Sequence, residues 1–250
     1  FNGDISNWNV SNVTNMVKLF GYSNFNQNIS GWIVSNVTNM SEMFIENDDF
    51  NGDISNWDVS SVTNMSTMFK KAESFNQDLS SWDVSNVTNM YTMFYRASSF
   101  NGNISSWDVS SATTIHQMFY GTTNFNQDIS GWNVSNLTEM MALFALSNFN
   151  QDISSWDVSN VTNMSNMFRD NDNFNQDISS WDVSNVTNME LMFYSADGLS
   201  DENKCAIHTA YSSNDDWTYD WSGSCPFQPQ TKSELQTAVD LWVDDNVTAL

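Results

Sequence analysis

From Phe174 to Tyr194 the chain reads FNQDISSWDVSNVTNMELMFY, with apolar positions at Phe174, Ile178, Trp181, Val183, Val186, Met189, Met192 and Phe193. Trp181 and Val183 differ by two, which places them on one face of an extended segment and Ser180, Asp182 and Ser184 on the other. Beyond Val186 the period changes. Met189, Met192 and Phe193 are spaced i, i+3, i+4, the stripe of a short helix. Thr187 before them is a candidate N-cap or turn residue. The 194–198 stretch varies from copy to copy, as a solvent-facing turn does. One unit is therefore expected to run strand, turn, short helix, return loop.

The unit repeats. Copies begin at Phe1, Phe25, Phe50, Phe75, Phe100, Phe125, Phe149 and Phe174, in steps of 24, 25, 25, 25, 25, 24 and 25 residues. Such a period signals a solenoid whose coils cannot bury their apolar residues alone. Stacking in register predicts an α/β solenoid over residues 1–198, with a parallel sheet at about 4.8 Å strand spacing on one face and short helices on the other. Like residues then sit over like: one tryptophan column runs from Trp8 to Trp181 and one phenylalanine column from Phe20 to Phe193. Alternation sends the tryptophans inward with valine, into the core rather than onto a sugar-stacking platform. The methionines, Met16 through Met189, read as core filling. Leu19, Ile115 and Leu143 replace methionine in this stripe, an exchange that packing tolerates and soft-metal ligation does not.

Polar positions form columns too. Ser6 to Ser179, Ser11 to Ser184 and Thr14 to Thr187 are the same in all eight copies, and their hydroxyls are expected to bond backbone groups at the bends. A hydroxyl array templating an ordered surface is the alternative. One carboxylate column contains Asp4, Asp53, Asp78, Asp128, Asp152 and Asp177. The other contains Asp58, Asp83, Asp108, Asp157 and Asp182, which make a candidate docking strip for a basic protein partner. Like charges one coil apart repel, so these carboxylates either accept backbone N–H groups or hold cations. With oxygen ligands only, Ca²⁺ is the candidate ion, although Asn or Ile33 interrupts both columns. The recurring N-x-S/T sequons, at Asn12, Asn36, Asn86, Asn136, Asn160 and Asn185, arise from the repeat text itself and say nothing by their number about glycosylation.

After Leu199 the pattern stops. Ser200–Tyr211 is a candidate helix offering Ala206, Ile207 and Ala210 for burial, and Trp217, Tyr219 and Trp221 follow. The last coil of a stack exposes an apolar cross-section that needs covering, so 199–225 reads as a small C-terminal cap. Cys205 and Cys225, both outside the repeats, read as one disulfide; a pair of buried thiols is the alternative. Pro226 and Pro229 mark a linker. Thr231 and Glu234 form a capping box for a helix striped by Leu235, Val239 and Trp242, so 226–250 reads as linker and amphipathic helix leading towards a further domain. The chain starts inside a motif at Phe1, which reads as a processed chain or a fragment, with an uncovered first coil open to end-to-end association.

Acidic residues number 30 against 7 basic, a net charge of −23. No basic stripe exists to displace phosphate counterions, which argues against nucleic acid. No apolar run approaches the ~20 residues of a membrane span. His116 and His208 have no partner legible in the sequence, and no nucleophile–base pair or four-ligand metal set is present.

The motif FNQDISSWDVSNVTNM…MF, in every coil over about residues 1–198, resembles the BspA-like leucine-rich repeat surface proteins, in particular the mycoplasma-lipoprotein branch. Leu199–Cys225 resembles the segment that closes such arrays, and the final TKSELQTAVDLWVDDNVTAL resembles the helix that precedes a further array. The resemblance implies a leucine-rich-repeat-like right-handed coil stack, exported and displayed, with adhesion to host cells or matrix as the family's associated role and no enzymatic residues to carry over. Ser111–Ile115, reading SATTI, departs from the pattern and predicts a looser coil. The expected function is a non-enzymatic extracellular or cell-surface adhesin or structural spacer contacting proteins or glycans on another cell or matrix, with no cofactor. A carbohydrate-binding module and a filament or virion-surface subunit are the alternatives.

Overall fold

The computed structural model describes residues 2–226 and 231–247, with side chains as far as 241. The expectations placed on Phe1, on Pro229 and on the side chain of Trp242 lie outside these.

Successive copies stack one on the next, but they are joined by turns rather than strands and helices. The second coil shows the rule. Four alternate N–H groups donate to the following coil: Met40 to Asn64 (3.0 Å), Glu42 to Ser66 (3.0 Å), Phe44 to Met68 (2.9 Å) and Glu46 to Lys70 (2.8 Å). Between them, N–H groups turn back three residues within their own coil: Met43 to Met40, Ile45 to Glu42 and Asn47 to Phe44. The third residue of the first and last of these turns is left-handed, Glu42 at φ 58° and Glu46 at φ 50°, as a type II turn requires. The same pair recurs at Thr67 and Lys71, Thr92 and Arg96, Ala142 and Leu146, Asn166 and Asp170, and Leu191 and Ser195. In the fifth coil it is Gln117 with Gly121, at φ +65°.

This overturns the expected architecture. A right-handed helix cannot pass through a residue at positive φ, so Leu191 forbids the helix that Met189, Met192 and Phe193 suggested. Their i, i+3 spacing belongs to a turn, which brings the same positions to one side. On the opposite face the Trp181 N–H closes on the Ile178 carbonyl (3.1 Å) and the Val186 N–H on that of Val183 (3.0 Å), so the chain bends twice where a strand was expected. What pairing remains is a run of isolated parallel bridges, such as Asn39↔Asn64 and Asn64↔Asn89. Among the described residues there is no strand and no sheet. The leucine-rich-repeat-like stack of parallel sheet and short helices is therefore not this fold. Among the described residues the only α-helices are α1 (Asp201–Tyr211) and α2 (Lys232–Val247), both outside the repeats.

The core lies where the apolar columns place it. Across the return loop Phe44 stacks on Phe50, the first residue of the next copy, at 3.9 Å, and from coil to coil the rings from Phe20 to Phe193 follow one another at 5.4–5.9 Å. Methionines 40, 65, 90, 140, 164 and 189 are buried among them. Each such side chain removed from water stabilises the stack by about 1.5–3 kcal/mol. The tryptophans from Trp32 to Trp181 are buried, and each indole N–H donates to the isoleucine or leucine carbonyl of the preceding coil, as Trp107 does to Leu79 at 2.9 Å. Trp8, in the first coil, departs from the column at 59 % exposed.

Two return loops are one residue shorter, at 20–25 and 144–149, and each is answered by an asparagine in the next coil. The buried Asn47 amide donates to the carbonyls of Phe20 (3.3 Å) and Phe25 (3.0 Å), and Asn171 to those of Phe144 (3.5 Å) and Phe149 (3.1 Å). Where the loop has full length, the corresponding residues are Ala72, Ala97, Thr122, Ser147 and Ala196, none of them asparagine, although the Thr122 hydroxyl also reaches back to the Phe94 carbonyl at 2.7 Å.

The end of the stack is covered by residues that imitate a further coil. The Tyr211 hydroxyl donates to the Ile178 carbonyl at 2.6 Å. Asn214 donates to the carbonyls of Val183 and Val186, and Asn203 to that of Asn175. The Tyr219 hydroxyl accepts the Phe193 N–H at 2.8 Å. Trp217, Tyr219 and Trp221 meet the Phe193 ring edge-on at 5.3–6.2 Å. Of the three residues offered for burial in α1, only Ile207 is buried; Ala210 is exposed and Tyr211 takes the inner position. Ser200 caps α1, accepting the Asn203 N–H. Cys205 and Cys225 are joined by a disulfide. The capping box of α2 forms as expected: the Thr231 N–H reaches Glu234 (3.2 Å) and the Glu234 N–H reaches the Thr231 hydroxyl (3.1 Å).

Candidate interaction surfaces

The carboxylate columns sit at the two bends, and each member accepts the N–H of the serine two residues on. In the candidate strip, Asp58 accepts from Ser60 (3.1 Å), Asp83 from Ser85 (3.1 Å), Asp108 from Ser110 (3.0 Å), Asp157 from Ser159 (3.1 Å) and Asp182 from Ser184 (3.0 Å). All five are exposed. The serine hydroxyl commonly joins the same oxygen, as Ser85 does to Asp83 at 2.6 Å. The serine hydroxyls, expected to bond backbone groups, instead bond the aspartate or asparagine side chain two residues before. Asn9 and Asn133 make the same bond where they replace the carboxylate, which explains why the column tolerates either residue.

These bonds hold Asp83, Asp108, Asp157 and Asp182 below the usual carboxylate range. For Asp83 the Ser85 hydroxyl contributes most, then the Ser85 N–H, against opposing effects of burial and of Asp108 one coil away. The serines thus stabilise the ionised form of carboxylates that repel one another. Among the described residues no group of three or more His, Cys, Asp or Glu side chains could hold a metal ion, so the geometry gives the suggested Ca²⁺ no assembled cage.

A second column escaped the sequence reading although it recurs in every copy. The residue after each leading Phe forms an asparagine ladder: Asn26 donates its N–H to the Asn2 side-chain oxygen, Asn51 to Asn26, and so on through Asn175, with Ser200 of the cap donating to Asn175 at 2.8 Å. The asparagine at each of these positions is a column signal of the same kind as Ser and Thr. The threonines behave as expected: Thr63 donates both its N–H (2.9 Å) and its hydroxyl (3.2 Å) to the Thr38 carbonyl. The sequon amides of Asn36, Asn86, Asn136, Asn160 and Asn185 donate to the serine carbonyl of the coil below, an engagement that a glycan on nitrogen would disturb.

The turn ribbon carries the remaining chemistry. Five of the seven basic residues of the chain lie there: Lys18, Lys70, Lys71, Arg96 and Arg169. Lys71 pairs with Glu46 at 2.7 Å and Lys18 with Glu42 at 3.6 Å. Tyr95 and Tyr120 stack face to face at 4.6 Å. Lys70 sits 5.1 Å from the Tyr95 ring centre, and the Arg96 guanidinium 5.6 Å from Tyr95 and 5.8 Å from Tyr120. The run of bridges breaks between Thr114 and Glu139, at the coil whose text departs from the pattern, and there His116 meets Glu139 at 2.9 Å. His208 accepts the Trp217 indole N–H at 3.2 Å. Neither partner was legible in the sequence.

Stacked coils joined by turns, an acidic strip and a capped end define a repeat protein that presents regular surfaces rather than a cleft. The chain belongs to the family described as Mycoplasma protein of unknown function, DUF285, which matches residues 1–60, 21–132 and 113–216. No curated protein and no solved structure matches it. Among the described residues no helix is long and apolar enough to cross a membrane.

Proposed function

We propose that the chain is a non-enzymatic surface repeat protein, akin to the BspA-like surface proteins in role, that works outside the cell as an adhesin or spacer through protein–protein contacts. The observation that carries this reading is the strip of Asp58, Asp83, Asp108, Asp157 and Asp182, each oriented by its serine, on five of the eight coils. A basic partner meeting this strip finds charges that are already positioned, so little side-chain ordering is lost on contact. The disulfide favours an oxidising compartment. Both histidines are engaged in contacts that hold the structure together, which supports a role without catalysis. The buried indoles from Trp32 to Trp181 offer no platform for sugar rings, which favours protein over glycan.

The test is attachment of beads carrying the chain to immobilised collagen, fibronectin and laminin. Attachment to at least one is expected, with loss when Asp83, Asp108 and Asp157 are changed together to Asn, which keeps the serine bonds and removes the charge. Attachment to none, or attachment indifferent to the triple variant, overturns the reading.

A further inference from the structure

On the edge formed by Lys70, Tyr95, Arg96 and Tyr120 we propose a second docking surface, for an acidic segment of a protein partner. It rests on the reading of the chain as a protein-contacting surface molecule, but uses chemistry opposite to that of the aspartate strip.

Three observations converge. Of the five cations on the turn ribbon, Lys70 and Arg96 are the two left over: in a chain of net charge −23, neither forms an ion pair among the described residues, whereas Lys18, Lys71 and Arg169 each do. Both are instead held near the same ring, that of Tyr95, with Tyr120 stacked beyond it. Cation–π contact leaves the guanidinium edge of Arg96 free to take a carboxylate in two-pronged fashion. Finally, the side chains are half-buried or, for Arg96, exposed, so a partner can reach them while the ring contacts restrict them. Tyrosine and arginine in this state are the residues that dominate contact energetics.

The global charge does not veto the site. At physiological salt, fields fade over about 8 Å, so an approaching segment feels the local cations more than the distant aspartate columns. Of the nearby acids, Glu46 is already paired with Lys71. A protein segment fits better than a sulfated polysaccharide, because Glu46, Asp48 and Glu73 line the adjoining hollow with Lys71 and Arg96. A dense run of sulfates is repelled by these acids more than a single carboxylate flanked by apolar groups is.

The experiment uses the full chain and a random glutamate–tyrosine copolymer as probe at 0.15 M salt, with heparin in a parallel arm. Saturable binding to the copolymer is expected, weakened at least tenfold by Lys70→Gln with Arg96→Gln and unchanged by Asp83→Asn with Asp108→Asn. An unchanged melting temperature shows that the Gln variant is folded; should it fall, Lys70→Gln alone is read for the same weakening. Absence of copolymer binding, or binding indifferent to the Gln changes, overturns the proposal. So does heparin binding that the Gln changes abolish while the copolymer fails to bind. Because the aspartate strip is untouched by the Gln changes, failure here is distinguishable from failure of the attachment assay.

Discussion

The Tyr211 hydroxyl stands 2.6 Å from the Ile178 carbonyl and donates to it. In the coils below, that carbonyl position is served by a tryptophan indole, as Ile153 is by Trp181 at 3.0 Å. Tyr211 is the cap's substitute for the next tryptophan. Burial, and to a lesser degree Asp177, pushes its phenol well above the ordinary value, which keeps it a donor. Tyr211→Phe should leave the Ile178 carbonyl with the Trp181 N–H alone, a loss of one buried hydrogen bond at a cost of about 0.5–1.5 kcal/mol. Urea unfolding measures the total, and hydrogen exchange should show the loss concentrated in the last coil. A phenol raised by folding also loses its stabilising effect above the unfolded pKa of about 10, so alkaline unfolding of the natural chain should begin there and be altered in the Phe variant.

Reduction of the Cys205–Cys225 disulfide opens a loop with a sequence separation of 20 residues. The chain-entropy model assigns such a loop about 3 kcal/mol. Unfolding with and without reductant should differ by that order. Fluorescence of Trp217 and Trp221 should respond before that of the buried coil tryptophans, because only the cap is tied by the bridge.

The aspartates at the bends make stability fall in acid. Asp53, Asp78, Asp83, Asp108, Asp128 and Asp152 all titrate below their ordinary range, through bonds from the serines two residues on. A carboxyl depressed by folding contributes stability that is present above its unfolded value, near 3.9, and lost as pH drops through the folded value. The free energy of unfolding should therefore decline below about pH 4. Asp83→Asn with Asp108→Asn should shallow that decline while leaving the fold intact at pH 7, since Asn9 and Asn133 already serve the same serine bond. A decline of equal steepness would show that the serine bonds are not its source.

Gln117 is left-handed, φ 53°, with no β-branch to aggravate the strain. A valine there should cost about 1–2 kcal/mol, and glycine should be neutral or stabilising by up to about 1 kcal/mol. Thermal melts of the two variants read the difference. Equal melting temperatures would mean that the turn is not the determinant of this ribbon.

The columns were legible because the period is nearly fixed: the stacked phenylalanines, the buried tryptophans and the aspartate strip follow from counting. The local conformation was not. Met189, Met192 and Phe193 fit both a helix and a chain of three-residue turns, and Trp181 with Val183 fits both a strand and two bends. The deciding feature is positive φ at Glu42, Thr67, Thr92 and their counterparts, where the sequence carries almost no glycine to announce it. Gly121 is the sole glycine among these sites. The left-handed residues are stabilised by bonds to the next coil, such as Thr67 N–H to the Tyr91 carbonyl at 2.8 Å, and a contact between copies leaves no mark within one copy. Asn47 and Asn171 show the same limit, because each compensates a shortening in the coil before its own.

Ser200, Asn203, Tyr211 and Asn214 contact the eighth coil mainly through groups that every coil possesses. The closing piece therefore does not depend on how many units lie beneath it. Gene duplication can lengthen or shorten this rod by whole copies without redesigning either side of the terminal joint, and the distance at which it presents its two faces becomes an adjustable quantity.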